Sequence, residues 1–241
     1  MDLNETCALR DALAHYLPAE VARNLLANGG RLEPVEAEAT ILMCDIEGFA
    51  ALTDALGPRR TFDFLNAYFE LLVGIVECRG GVVTQFQGDA ILAAFNLPTA
   101  QTDHAAQALR AALDIVRECD LRDFAGVRAR NRIGLASGRV IAGAVGSHGR
   151  LSYTVHGNPV NLAARLEVLN KEYGTRILVS GETARACPQL ALRKIANAPV
   201  RGYAEPIALY TPATDAQLSR GAHGGAARTP PGRSRRARSV L

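Results

Sequence analysis

Two aspartates stand at positions where the chain must turn, and both carry the chemistry of a carboxylate. Asp45 ends the apolar run ATILMCD, which is typical of a buried strand, and the turn-like segment Ile46-Glu47-Gly48 follows it. Asp89 comes after Gly88 between two strand-like arms, VVTQFQ and AILAAF, where glycine favours a two-residue type II′ hairpin. We therefore expect one carboxylate at a strand end and the other at a hairpin tip.

Two carboxylates that approach one another repel, and a cation between them relieves that repulsion. Magnesium accepts oxygen ligands and commonly takes one or two carboxylates together with substrate phosphates. A pair of such ions can activate an attacking hydroxyl and stabilise a leaving phosphate oxygen. From spacing alone, a second interpretation is equally open, in which Asp45 caps a helix and Asp89 only suits its turn.

The elements that would bring the carboxylates together follow in the order strand, helix, hairpin, helix, strand. The first helix has apolar residues at three- and four-residue spacing and ends at Gly80-Gly81. Its apolar positions are Phe62, Leu65, Phe69, Leu72, Val73 and Val76. The second helix is predicted from Asp103, as its N-cap, to Glu118. Strands are predicted near Arg130–Ala136 and Arg139–Val145, with a further strand at LSYTVH.

This order is that of a split β-α-β unit, so we predict an α+β fold with a ferredoxin-like (βαββαβ) core. Additional C-terminal strands and helices include a helix opening at Asn158-Pro159, with Asn158 as its cap, and strands at TRILVS and IALYT. In such a core the first strand lies beside the hairpin. Asp45 and Asp89 can then point into one crevice.

The chain divides into three predicted regions. Residues 1–34 form an N-terminal helix and linker, with the helix running from Cys7 to about Asn28. Residues 35–212 form one α+β domain. Residues 213–241 form an arginine-rich tail, which we predict to be disordered because it is rich in Gly, Pro and Arg and has little to bury.

Charge and cysteine content exclude several classes of protein. The net charge is +3, but six of the 27 basic residues follow Asp215, which leaves 21 basic against 24 acidic residues and a net −3 for the rest. The predicted domain therefore lacks the basic surface of a nucleic-acid-binding protein. Five scattered cysteines without a C-x-x-C pair argue against disulfides and zinc. Without a predicted membrane span or secretory signal, we expect a cytoplasmic protein.

Three segments, MCDIEGFAALT, QFQGDAILAAF and TVHGNPVNLAARLE, resemble the class III adenylyl/guanylyl cyclase catalytic domain in their order and separation. IGLASGRVIAGAVGS and VRGYAEPIALY are also similar to that family. The resemblance covers about residues 36 to 212 and implies the same ferredoxin-like core. It also implies a lyase that acts in signal transduction and converts a nucleoside triphosphate to a 3′,5′-cyclic monophosphate.

The resemblance assigns roles residue by residue. Asp45 and Asp89 match the family's two metal-binding aspartates, and the backbone carbonyl of Ile46 matches a third ligand, for two Mg²⁺ or Mn²⁺ ions per active site. Asn161 and Arg165 match the pair that orients the ribose and stabilises the transferring phosphate. Their i, i+4 spacing places both side chains on one helix face, which supports the assignment independently.

Two further arginines match basic positions that contact phosphate. Arg201 corresponds to a residue at the terminal phosphates, and Arg150 is a second candidate for the same role. In the family, one subunit supplies the aspartates and the other supplies the base contacts, the Asn and the Arg. Because this chain carries both sets, the resemblance implies a homodimer with active sites at the interface.

Two positions that contact the base leave its identity open. Gln85 stands where adenylyl cyclases usually carry a lysine, and Thr154 occupies the partner position, which is often Asp or Thr in adenylyl cyclases. Both side chains can donate and accept a hydrogen bond, so either purine can be accommodated. Thr154 favours ATP, which we expect to be converted to cyclic AMP and pyrophosphate. A guanylyl or mixed-specificity cyclase and a silent nucleotide-binding regulatory domain are the alternatives.

Overall fold

A computed structural model of the protein describes residues 18–29, 32–147 and 150–213, with eight strands and five helices. The helices are α1 (Ala19–Ala27), α2 (Phe49–Cys78), α3 (His104–Leu121), α4 (Asn158–Tyr173) and α5 (Gly181–Ala186). The strands are β1 (Val35–Ile46), β2 (Gly81–Gln87), β3 (Ala90–Phe95), β4 (Asn131–Ser147), β5 (Arg150–His156), β6 (Ile177–Ser180), β7 (Leu192–Ala198) and β8 (Ile207–Pro212).

The strands form one sheet in the order β2-β3-β1-β4-β6-β8-β7, and β5 pairs with β4 outside this path. β1 is antiparallel to both β3 and β4, whereas β4 is parallel to β6. The hairpin β2–β3 therefore lies beside β1, as a split β-α-β unit requires. The predicted α+β fold with a ferredoxin-like core and added C-terminal elements is confirmed.

Helices cover both faces of the sheet, and neighbouring residues of β1 show the two layers. Leu42 packs with the core under α2 and α3, and the adjacent Ile41 packs with the core under α4. Both side chains are completely buried. Since successive strand side chains point to opposite faces, β1 lies between two hydrophobic cores.

The long helix α2 buries a stripe that the sequence pattern identified only in part. Its buried residues are Phe64, Tyr68, Leu72 and Val76, spaced by four. Phe62, which the pattern placed on the apolar face, is 69% exposed, so that assignment was wrong. It precedes Phe64 by two residues, which is about 200° around the helix.

One long strand replaces the two strands predicted between residues 130 and 145. β4 runs unbroken through Ser137-Gly138, and Gly138 pairs with Ala39 of β1. The Ser-Gly pair suggests a turn in the sequence, but pairing with β1 on one side keeps the strand extended. The elements β7 and α5 were not predicted.

The start of α4 also differs by one residue from the prediction. Gly157, not Asn158, is the N-cap, so Asn158 and Pro159 are the first two residues of the helix. A Cβ at Gly157 would lie 2.9 Å from the carbonyl oxygen of Arg139. Because the chain passes this close to β4 as it enters the helix, only glycine fits at the cap.

The predicted ends of the chain are described only in part. α1 ends at Ala27 with Asn28 as its C-cap, close to the expected end of the first helix. Residues 7–17 of that helix and residues 214–241 of the tail lie outside the described residues, and the domain boundaries stay a prediction. None of the helices in the described ranges is long and apolar enough to cross a membrane.

The contact between β4 and α4 is unusually close at Gly134. A Cβ built there would lie 2.0 Å from the carbonyl oxygen of Ala163 and 2.5 Å from the amide nitrogen of Glu167. Real side chains do not approach a backbone so closely. The hydrogen atom of glycine at this position therefore lets α4 rest directly on the sheet.

Gly134→Ala should lower the free energy of unfolding by about 3 kcal/mol, because the new methyl group overlaps backbone atoms that cannot move alone. Denaturant unfolding followed by circular dichroism measures the change. Gly74→Ala is the control: Gly74 lies within α2 with open space around it, and alanine there should add about 0.5–1 kcal/mol. Equal stability of Gly134→Ala and the wild type would contradict the close contact.

Candidate active site

Asp45 and Asp89 lie together, although 43 residues separate them along the chain. The amide nitrogen of Ile46 donates to Asp45 Oδ1 at 2.9 Å and to Asp89 Oδ2 at 3.2 Å. Pairing of β1 with β3 brings the end of β1 to the hairpin tip, where Gly88 has a φ of +66°. The expected juxtaposition of the two carboxylates is present.

The environment of Asp89 disfavours its charge. Burial of the half-buried carboxyl, together with the hydrogen bond and the negative charge of Asp45, raises the pKa of Asp89 to about 7. Hydrogen bonds from the backbone oppose that rise but do not cancel it. Two carboxylates this close form a site in which a cation is strongly favoured.

The donor set fits a hard divalent cation. Among the described residues, no cluster of three or more His, Cys, Asp or Glu side chains could enclose a metal ion. The crevice offers two carboxylates, whose ligand atoms are oxygen. Magnesium and manganese suit such an incomplete set because substrate phosphates and water fill their remaining positions. The carbonyl of Ile46 as a ligand stays a prediction.

An ion pair that sequence reasoning missed adjoins this crevice. Arg132 lies opposite Asp45 in the β1–β4 register, and its Nη2 is 3.8 Å from Asp45 Oδ2. Its Nε donates to Glu167 Oε1 of α4 at 3.0 Å. Glu167 has only 7% of its side chain exposed. An arginine inside the apolar strand sequence NRIGLA is the one signal that could have indicated the pair.

Arg165 lies on a different face of α4 from Glu167, beside the turn that carries Arg201. Its guanidinium carbon is 5.8 Å from the ring centroid of Tyr203, a distance suited to a cation–π contact. Arg165 and Arg201 line the same surface cavity of about 510 Å³. Tyr203 was not identified from the sequence, since nothing in its local pattern points to Arg165.

The structure separates the predicted catalytic pair from the predicted metal ligands. Asn161 is exposed and Arg165 half-buried, whereas Glu167 faces β4 and Asp45. Within the part of the chain that the structure describes, no hydrogen bond or ion pair joins Asn161 or Arg165 to the two aspartates. Within one chain, the predicted catalytic pair and the predicted metal ligands therefore point in different directions.

The two predicted base contacts meet between β2 and β5. Gln85 Nε2 donates a hydrogen bond to Oγ1 of the buried Thr154. Gln87 Nε2 in turn donates to Gln85 Oε1 at 2.6 Å, which fixes the orientation of the Gln85 amide. The side chain of Arg150 lies outside the described residues, so its predicted role stays untested.

Comparison with known proteins identifies the family. Residues 33–211 match the family model described as the adenylate and guanylate cyclase catalytic domain. The chain belongs to this family.

Curated relatives of this cyclase domain include adenylate cyclases. The chain is 32% identical to adenylate cyclase 1 of Rhizobium meliloti (strain 1021) over 212 residues. This alignment covers 83% of the chain and 32% of the relative. Identity to the adenylate cyclase of Anabaena cylindrica is 33% over 216 residues, covering 83% of the chain and 42% of the relative. The chain thus spans about a third to two fifths of the length of these curated relatives.

The solved structures similar to the cyclase domain include both adenylyl and guanylyl cyclases. A bacterial light-regulated adenylyl cyclase superposes with a TM-score of 0.76 at 28% identity, covering 87% of this chain and 62% of that one. The guanylate cyclase domain of RhGC from Catenaria anguillulae, in complex with GTP, superposes with a TM-score of 0.67 at 26% identity, covering 74% and 96%. Family membership therefore does not by itself decide between ATP and GTP.

Asp89→Asn should stabilise the cyclase domain in the absence of metal, because it removes the repulsion from Asp45. At pH 8 and in the presence of a chelator, we expect its melting temperature to rise by a few degrees, as for a gain of about 1 kcal/mol. The same variant should lose the stabilisation that Mn²⁺ gives to the wild type. A destabilised metal-free variant would show that Asp89 serves only its turn.

Proposed function

We propose that this cyclase domain converts ATP to 3′,5′-cyclic AMP and pyrophosphate at an active site shared by two copies of the chain. The observation that carries the proposal is the meeting of Asp45 and Asp89 at the amide of Ile46. That arrangement is unfavourable in the metal-free protein because the two carboxylates repel each other, and bound divalent cations would remove the repulsion.

Asp45 and Asp89, with the backbone of Ile46, would hold two Mg²⁺ or Mn²⁺ ions. Bound there, the ions would lower the pKa of the ribose 3′-hydroxyl and neutralise charge on the phosphates. By holding the ions, the two aspartates would orient the ribose hydroxyl and the phosphates. Because the crevice sits at the end of β1 and the tip of a two-residue hairpin, rigid backbone fixes both carboxylates.

Asn161 and Arg165 supply the second half of the site. Asn161 would position the ribose, and the fork of N–H groups on Arg165 suits the charge that builds on the phosphate in the transition state. Tyr203 packs against the guanidinium and limits its freedom before substrate binds. Arg201, which lines the same cavity, would contact the terminal phosphates.

Separation of the two sets supports a homodimer. Asn161 and Arg165 project from a different face of α4 from the one that reaches Asp45 through Arg132 and Glu167. In a head-to-tail pair, the carboxylates of one chain would face the Asn, the Arg and the base contacts of the other. Each dimer would then contain two active sites.

The contacts of Gln85 leave the base open on chemical grounds. Its amide has already used one N–H toward Thr154 and one lone pair toward Gln87. One N–H and one lone pair remain, which match N1 and the amino group of adenine, or O6 and N1–H of guanine. We favour ATP because the curated relatives at 32% and 33% identity are named adenylate cyclases.

Purified protein given Mn²⁺ with ATP or GTP in parallel should form cyclic AMP as its main product. Asp45→Ala should reduce turnover at least about 100-fold, since metal sites lose up to that factor even when an outer partner is removed. Asp63→Ala, which alters an exposed acid of α2, is the control and should retain activity. Product formation is measured by chromatography.

The other outcomes of this assay separate the alternatives. Cyclic GMP, alone or in excess, would confirm the chemistry and contradict the preference for ATP. A folded protein that binds nucleotide and forms neither product would instead be a silent regulatory domain. Full activity of Asp45→Ala would exclude the metal assignment.

Gly202→Ala should lower kcat more than it changes KM for the nucleotide. Gly202 has a φ of +84°, and a Cβ there would lie 3.3 Å from Arg165 Nη1, so the guanidinium must shift. Gly126→Ala is the matched control, because Gly126 has a φ of +82° with open space around it. Both variants carry about 1 kcal/mol of backbone strain. An equal kcat in the two would contradict the role of Arg165.

A further inference from the structure

Glu167 is a buried carboxylate that has no place in the chemistry proposed above. It lies on the face of α4 that packs against β4, and its closest charged partner is Arg132. Burial raises the pKa of Glu167, the charge of Asp45 adds to that rise, and Arg132 opposes it. Burial of a carboxylate is energetically unfavourable, so its position within electrostatic reach of a proposed metal ligand indicates a function.

We propose that Glu167 is a positioning residue that holds Arg132 back from Asp45, so that the Asp45 carboxylate stays available to a divalent cation. This inference rests on the proposed function, because it assigns a partner to the proposed metal site.

The distances around Arg132 show which carboxylate holds it. Arg132 Nε donates to Glu167 Oε1 at 3.0 Å, a normal hydrogen bond, whereas Arg132 Nη2 stands 3.8 Å from Asp45 Oδ2. The second distance is too long for a hydrogen bond. Arg132 thus lies within the field of Asp45 without occupying its oxygen atoms.

The position of Glu167 is fixed by the backbone. At Gly134 the strand meets the helix so closely that a Cβ there would lie 2.5 Å from the Glu167 amide nitrogen. Gly134 lies two residues after Arg132 on β4, so the same packing contact sets the height of the carboxylate above the arginine. The backbones that carry Arg132 and Glu167 therefore stay at a fixed separation unless α4 moves.

Loss of Glu167 would change the site in two ways that act in the same direction. An arginine without Glu167 would turn to Asp45, since a guanidinium forms its strongest contacts with a carboxylate, often through two N–H groups. It would then compete with the cation for the same oxygen atoms. The site would also lose one negative charge, and both changes weaken cation binding.

Mn²⁺ binding without nucleotide tests this directly, with free Mn²⁺ followed by electron paramagnetic resonance. Glu167→Gln should bind Mn²⁺ about 10-fold more weakly than the wild type, as typical for loss of an outer partner of a metal ligand. Adding Arg132→Met to that variant should restore most of the affinity, because the competing cation is gone. Glu172→Gln, an exposed acid on the same helix, should leave it unchanged.

Turnover provides a second readout that a merely structural role would not produce. For Glu167→Gln, we expect a higher Mn²⁺ requirement, with kcat at saturating Mn²⁺ close to that of the wild type. Glu167→Asp keeps the charge but has a shorter reach, and it should weaken Mn²⁺ binding by a smaller factor. If Glu167→Gln fails to fold, wild-type affinity in Glu167→Asp overturns the inference.

The remaining outcomes distinguish this inference from the proposed function. Mn²⁺ binding that is unchanged in Asp45→Ala would contradict the proposed metal site, and with it the role of Glu167. Mn²⁺ binding that is lost in Asp45→Ala but unchanged within twofold in Glu167→Gln contradicts only the role of Glu167. An Arg132→Met/Glu167→Gln variant no better than Glu167→Gln shows that Arg132 is not a competitor.

Discussion

The rest of this structure depends on the contact between β4 and α4 at Gly134, where a Cβ would lie 2.0 Å from the carbonyl oxygen of Ala163. With no side chain between them at this point, the backbone of the helix packs directly against the strand. Glu167 is thereby held beside Arg132, and Arg165 is directed away from the sheet toward Tyr203. One glycine thus sets the height of both functional faces of α4.

The two aspartates illustrate a different constraint, in which the fold brings together groups that repel. Strand pairing between β1 and β3 fixes Asp45 and Asp89 at one amide, and the pKa of Asp89 rises to about 7 as a result. Sequences usually avoid such a conflict unless it serves a function. The cost falls on the metal-free protein, and a cation bound between the two carboxylates would offset it.

Local pattern was sufficient for the parts of the fold whose signal is local. Apolar runs and glycine positions alone predicted the order strand, helix, hairpin, helix, strand of the core, with Asp45 at a strand end and Asp89 in the hairpin turn. Errors arose where tertiary contacts override local preference. At Gly138, for example, the sequence is typical of a turn, but pairing with β1 keeps the segment extended. The Arg132–Glu167 pair joins residues 35 positions apart, a separation that no spacing rule addresses.

A chain with this geometry cannot complete its own active site by a local movement. Glu167 follows Arg165 by two residues, which is about 200° around the helix, so the two side chains diverge from one axis. Turning α4 to bring Arg165 toward Asp45 would break the contact at Gly134 and expose the buried Glu167. In the proposed homodimer, a second chain would supply the missing face without either cost. Rigid packing within one chain is therefore a physical reason to expect the chemistry between two chains.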